Sequence, residues 1–243
     1  MISKRKRDLI YLMKNKYFKN LETLRYEIEI SKKFENKKID KIIKWLETRK
    51  KFDKTKIKQV GLTQLNDWNF DNKKNINHKS KQFFSVIGLK ISNAYNREVK
   101  SWDQPILNQK HGGILAILCR KRDNIIEFLL YARREPGDND LKLCPSFSAT
   151  QSNLNKAHGG KKTKLYNLIF AKNRKLISET IHYEEGARFF KKPNKNTIIK
   201  IKKSEEKHIK DPNFIWCNMS QIKKLNLLKG IINPYVKTIL FMI

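Results

Sequence analysis

The chain has 243 residues, 39% of them hydrophobic, which allows one large or two small domains with a sizeable core. No apolar run approaches the ~20 residues of a membrane-spanning helix, and three cysteines (Cys119, Cys144, Cys217) lie far apart without a Cys-x-x-Cys pair, which disfavours a disulfide framework. The formal net charge of +31 points first to nucleic acid, but the excess is mostly lysine, runs from end to end and accompanies abundant Asn and Ile, so it reads as a solvated surface.

Residues 3 to about 50 contain no glycine or proline and show helical spacing at Leu9, Ile10, Leu12 and Met13 and again at Ile39, Ile42, Ile43, Trp45 and Leu46. They are expected to form an N-terminal helical arm (1–50) packed on a main body (51–243). The basic N-terminus lacks the apolar core of a signal peptide. Residues 56–62 suggest a short strand, residues 81–92 a longer one, and 92–96 a turn. Gly112–Cys119 reads as a buried strand, and Arg122-Asp123-Asn124 as a tight turn into the apolar run Ile125–Leu130, so 113–132 is a predicted hairpin.

That hairpin ends in Tyr131, Ala132, Arg133, Arg134 and Glu135, and Pro136-Gly137 turns the chain. Next comes a run of small hydroxyls and amides, Ser146 to Asn153. Arginine forks match phosphate, and hydroxyls and amides both donate to and accept from sugar hydroxyls. Past the His158-Gly159-Gly160 loop, an amphipathic helix is predicted near 164–170, a strand over 178–183 and an alternating strand at Thr197–Lys202. Asn218 with Gln221 resembles a capping box for a helix over 219–228, and Asn233-Pro234 suits the start of a final helix, 235–243. Strands in the middle and helices at both ends argue for an α+β fold with a mixed or antiparallel sheet.

A second charged cluster is Glu184-Glu185-Gly186-Ala187-Arg188. Adjacent residues of a strand face opposite ways, so at most one carboxylate would enter a common pocket, as a general base, with Arg188 as an anion clamp. Gly186 permits a bulge or a close ligand approach. Trp102, near Gln104, offers a face for a nucleotide base. The five histidines show no metal-ligand spacing, and no metal site is expected.

Five segments, in this order, resemble the NDP-hexose 2,3-dehydratases of deoxysugar biosynthesis: HKSKQFFSVIGLKI, WDQPILNQKHGGILAIL, YARREPGDNDLKLCPSFSATQSN, HYEEGARFFKKPNKNTIIKI and FIWCNMSQIKKLNLLKGIINPYVKTIL. The resemblance implies a Nudix-like module, a mixed sheet flanked by helices, that binds a dTDP-linked keto-deoxysugar. It also implies elimination of water across C2 and C3 of a 4-keto-6-deoxyhexose, a cytoplasmic carbon–oxygen lyase with no cofactor. Members usually carry two tandem modules; this chain has one, so a homodimer or a partner module is expected. Ser146-Phe147-Ser148 replaces a Pro-Thr-Val-Gln type of run, and Leu154 stands where an aromatic usually follows Ser-Asn.

On chemical grounds the base is Glu184 or Glu185, with Glu135 or Tyr183 behind it. Arg133, Arg134 and Arg188 are candidates for the diphosphate and the ketone, Thr150, Gln151, Ser152 and Asn153 for sugar hydroxyls, and Trp102 with Gln104 for the thymine. Two alternatives stand beside the lyase: a catalytically silent dTDP-sugar-binding module working with a second module or chain, and, less favoured, a basic nucleic-acid-binding protein.

Overall fold

The structure is a computed structural model that describes residues 17–109, 111–157, 159 and 161–243. The helical spacing at Leu9–Met13 lies outside those residues, as do His158 and Gly160 of the expected loop. Two helices, α1 (Phe18–Ser31) and α2 (Asp40–Phe52), open the described chain. Four strands then form an antiparallel sheet in sequence order: β1 (Trp68–Phe70), β2 (Ile76–His78), β3 (Ser85–Ile91) and β4 (Trp102–Asn108).

The second sheet holds β5 (Gly113–Arg122), β6 (Ile125–Arg133), β7 (Lys142–Pro145), β8 (Phe147–Thr150), β9 (Lys175–Tyr183), β10 (Pro193–Lys200) and β11 (Phe214–Asn218). Its order is β11-β6-β5-β10-β9, with β7 on β6 and β8 on β5. Only β5 and β10 run parallel, so the sheet is mixed. Short helices complete the fold: α3 (Gln151–Leu154), α4 (Tyr166–Ile169), α5 (Met219–Asn226) and α6 (Pro234–Leu240). This is the expected α+β class, a mixed sheet flanked by helices.

The predicted hairpin is the sheet's spine. Asp123 and Asn124 take left-handed backbone conformations (φ 47° and 63°), as a two-residue hairpin turn requires. Beyond Cys119 and Phe128 the strands part, and β7 and β8 fill the fork. Ser146 sits buried between them; its Oγ accepts from the Leu118 N–H at 2.9 Å and donates to the Ala116 carbonyl at 3.2 Å. A hydroxyl thus satisfies two backbone groups that the fork leaves without a strand partner.

Period-two alternation sends Leu115, Ile117 and Cys119 of β5 to one face, where they meet Leu24 of α1, Leu46 of α2, Leu225 of α5 and Val236 of α6. Ala116 and Leu118 face the other way, onto Phe147, Leu168 and Ile169. Ser31 anchors α1 to the sheet edge, its Oγ accepting from the Ile126 N–H at 3.1 Å and donating to Glu35 at 3.0 Å. Glu35 in turn accepts from Ser220 N–H at the start of α5. Both helix starts foreseen near the C-terminus are present: the Asn218–Gln221 capping box, and Asn233 accepting from Tyr235 N–H with Pro234 in the first turn.

Three local expectations change, and one strand was not foreseen. Residues 56–62 form no strand; they run exposed, with Ile57, Val60 and Leu62 facing solvent, because no sheet edge lies beside them. The helix near 164–170 shrinks to one turn, preceded by Leu165 in the left-handed region. Ile198 and Ile199 do not alternate between core and solvent: β10 lies between β5 and β9, so both are buried, on opposite faces. Residues 102–108 form β4 despite Pro105, which is tolerated on the edge of the four-stranded sheet.

Candidate active site

The two sheets are stitched where the β9–β10 connection passes β4. Leu107 N–H donates to the Arg188 carbonyl at 3.0 Å, and Phe190 N–H donates to the Leu107 carbonyl at 2.8 Å. Behind this seam, at the ends of β9 and β10, α6 crosses and leaves a cavity of about 410 Å³ whose lining includes Leu115, Glu184, Phe189, Asn194, Asn196 and Tyr235.

Glu184 is its chemical centre. Its N–H donates to the Lys192 carbonyl at 2.9 Å, which continues the β9–β10 pairing one residue beyond the strand. Alternation turns the Glu184 side chain inward, 11% exposed, and the Glu185 side chain outward, 64% exposed. Glu184 Oε1 accepts from the Tyr235 hydroxyl at 2.6 Å and from Asn194 Nδ2 at 2.6 Å, and Lys192 Nζ stands 3.4 Å away. Among the described residues nothing bonds Oε2. Lys192 is itself buried, its ammonium 4.6 Å from the centre of the Phe189 ring. The Tyr235 phenol is pushed up from its ordinary range, first by burial, then by the hydrogen bond to Glu184 and the negative charges of Glu184 and Glu135; Arg133 pulls the other way. A carboxylate on a cavity wall, held through one oxygen and unbonded at the other, has the form of a general base.

Of the residues singled out from the sequence, Glu184 is held in the cavity, and Tyr183, 71% exposed, and Glu185 also line it, at its mouth. Glu185 pairs with Arg188 at 3.1 Å on the outer surface. Arg188 is 75% exposed, so its charge is spent in solvent rather than in the hollow. Gly186 occupies an open turn with nothing near its Cα that a side chain would strike. Arg133 pairs with Glu135 and neither lines the cavity; their charges act on Tyr235 through space. The next residue of a strand end points elsewhere: Arg134 Nε lies 2.9 Å from Asp53 Oδ2, clamping the end of α2, and does not reach the cavity.

Trp102 and Gln104 do not join this group. Trp102 Nε1 donates to Gln104 Oε1 at 2.8 Å, and Gln104 Nε2 donates to the Ala187 carbonyl at 2.9 Å, so the pair braces the 184–192 connection from outside. Thr150 caps α3, its Oγ1 accepting from Asn153 N–H at 3.4 Å and standing 2.8 Å from Ser152 Oγ, while Gln151 bonds Asn155. Gln151 and Ser152 line a second, larger groove of about 960 Å³, shared with His78, Phe84, Asn108 and His111. Sequence reasoning missed Lys192, Asn194, Asn196 and Tyr235. Lys192 and Asn194 flank a turn proline and Tyr235 follows a helix cap, so each carried a sufficient local explanation.

A mixed-sheet α+β chain with a buried carboxylate, amide, ammonium and phenol around one hollow is equipped for proton transfer on a polar ligand. A family described as NDP-hexose 2,3-dehydratase matches residues 39–243, and the chain belongs to it. The match takes in α2, which the sequence reading had assigned to the arm. Among curated relatives, the dTDP-4-dehydro-6-deoxy-alpha-D-glucopyranose 2,3-dehydratase of Saccharopolyspora spinosa is 31% identical over 199 residues, covering 81% of this chain and 40% of its own length. The enzyme of the same name from Amycolatopsis orientalis is 30% identical over 188 residues, 74% of this chain and 39% of its own. That from Streptomyces violaceoruber is 26% identical over 206 residues, 81% and 44%. The chain thus spans about two fifths of the length of these relatives.

Proposed function

We propose that this module eliminates water across C2 and C3 of a dTDP-4-keto-6-deoxyhexose, as a cytoplasmic carbon–oxygen lyase of deoxysugar biosynthesis that needs no redox cofactor. The observation that carries it is Glu184: largely buried, lining the cavity, and fixed through Oε1 by Tyr235 and Asn194 with the buried Lys192 ammonium 3.4 Å from the same oxygen. The names of the relatives supply the substrate class.

In this scheme Glu184 Oε2 takes the C3 hydrogen as a proton, and the C–H electrons move onto the C4 oxygen as an enolate. The Tyr235 proton is committed to Glu184 Oε1, so the Lys192 ammonium is the donor at hand for that oxygen. The enolate then re-forms the C4 ketone, the C2–C3 double bond forms, and the C2–O bond breaks. The departing hydroxide takes the proton from Glu184 and leaves as water, restoring the carboxylate. Arg133, whose charge acts on Tyr235 from outside the cavity lining, is proposed for the diphosphate, and Gln151 and Ser152 of the second groove for hydroxyls of a ligand that spans both. Three buried free cysteines fit a reducing cytosol.

The test is incubation with dTDP-4-keto-6-deoxyglucose in D₂O, following deuterium at C3 and loss of water. Glu184→Gln should lower both on the order of 10²–10⁴-fold; a variant as active as wild type would overturn the assignment. One observation favours a second reading: with two fifths of the relatives' length, the chain could bind the dTDP-sugar and leave turnover to a second copy or a partner module. Ligand binding by calorimetry without C3 exchange would select it, and sedimentation would show whether a homodimer forms.

A further inference from the structure

The structure assigns to Asn194 the role of a positioning residue: it holds Glu184 through one carboxylate oxygen at the cavity, and Gly112-Gly113 is the backbone feature that holds Asn194 there. This rests on Glu184 being the base. Asn194 is buried, and both ends of its amide are engaged. Its Oδ1 accepts from the Gly113 N–H at 2.9 Å, and its Nδ2 donates to Glu184 Oε1 at 2.6 Å.

The two bonds are not independent. A backbone N–H can only donate, so it must face the amide oxygen, and the NH₂ is then left for the carboxylate. Flipping the amide would set donor against donor and acceptor against acceptor, so the orientation is determined by its partners. An ionised carboxylate accepts at both oxygens; Asn194 and Tyr235 tie Oε1, and among the described residues Oε2 has no partner.

Close approach of β5 to β10 makes the Gly113 contact. A Cβ on Gly112 would sit 1.5 Å from the Pro193 carbonyl oxygen, and one on Gly113 3.0 Å from the Ala149 carbonyl oxygen and 3.4 Å from Asn194 Oδ1. Only glycine allows the start of β5 to lie so close to residues 193 and 194.

The discriminating variant is Asn194→Asp beside Asn194→Ala. The aspartate is nearly isosteric and still accepts from Gly113 N–H, so it keeps the stitch between β5 and β10. It replaces the NH₂ facing Glu184 with a second carboxylate oxygen. If Asn194 only holds the strands together, Asn194→Asp is tolerated. If it positions Glu184, both variants lose kcat for C3 deuterium exchange on the order of 10²-fold, with KM within about twofold of wild type, and Asn194→Asp, which sets a second carboxylate against Glu184, melts below wild type while still folding. Glu184→Gln is run in parallel. Inactive Glu184→Gln with active Asn194→Asp overturns the role of Asn194 and leaves the base standing. Wild type that exchanges no deuterium, or Glu184→Gln as active as wild type, defeats the reading of the site and the role of Asn194 with it. Should Asn194→Ala fail to fold, Asn194→Asp decides alone.

Discussion

The Tyr235 hydroxyl donates to Glu184 Oε1 at 2.6 Å, tying the first turn of α6 to the end of β9 across 51 residues of sequence. The bond gives the carboxylate a neutral donor from an element that Asn233 and Pro234 start at a defined point. The charges of Arg133 and Glu135 act on the same phenol, in opposite directions.

Tyr235→Phe removes that donor from a largely buried carboxylate. A hydrogen bond to a charged group contributes ~1.5–3 kcal/mol, so the variant should lose about that much stability in urea unfolding, and turnover should fall with it. A loss below a few tenths of a kcal/mol would mean that the phenol and the carboxylate do not meet.

What the sequence disclosed and what it hid separate along chain distance. The 113–133 hairpin was readable because Asp123-Asn124 is a local turn, and both C-terminal helix starts because caps are local. Glu184 and Glu185 could not be ranked from sequence, although alternation predicted that only one would face inward; the pairing of Glu184 with Lys192 decides which. Tyr235 was invisible as a site residue because its partner lies 51 positions away. Trp102 and Gln104 satisfy each other and Ala187, which no spacing rule reveals.

Gly112→Ala tests the close approach of β5 and β10 without touching a polar group. With the Pro193 carbonyl oxygen 1.5 Å from the new methyl, strand or loop must move. Overpacking of this kind costs ~1–3 kcal/mol or more. The melting temperature should drop and turnover should fall as Asn194 is displaced. Gly186→Ala, in an open turn, is the control and should change neither; equal behaviour of the two would remove the steric argument.

The thiols and Tyr235 set the alkaline limit. Burial pushes Cys119 up from 9.0 to about 12 and Cys144 to about 11, and pushes Cys217 higher still. These groups keep their protons in the folded chain at a pH where the unfolded chain releases them. Their contribution is therefore whole below pH 9.0, the ordinary thiol value, and is lost as pH climbs through the raised values; that of Tyr235 follows above 10.0. Unfolding by urea should become easier from pH 9 to 11. At pH 8, a thiol reagent should find no fast-reacting cysteine in the native chain and three after denaturation; rapid native labelling would contradict the burial.

The net charge of +31 makes a separate prediction. Several cations of the described residues are already committed: Arg120 to Glu127 and Glu206, Lys200 to Glu27, Arg134 to Asp53. Most of the remaining excess is lysine spread along the sequence, which attracts a polyanion through counterion release and not through base edges. Duplex DNA should therefore bind in a filter assay at low salt, show no preference among sequences, and lose about 10³-fold or more in affinity between 50 and 200 mM salt. Retention at 200 mM with a sequence preference would show a built nucleic-acid site, and the basic-protein alternative would then displace the lyase as the primary function.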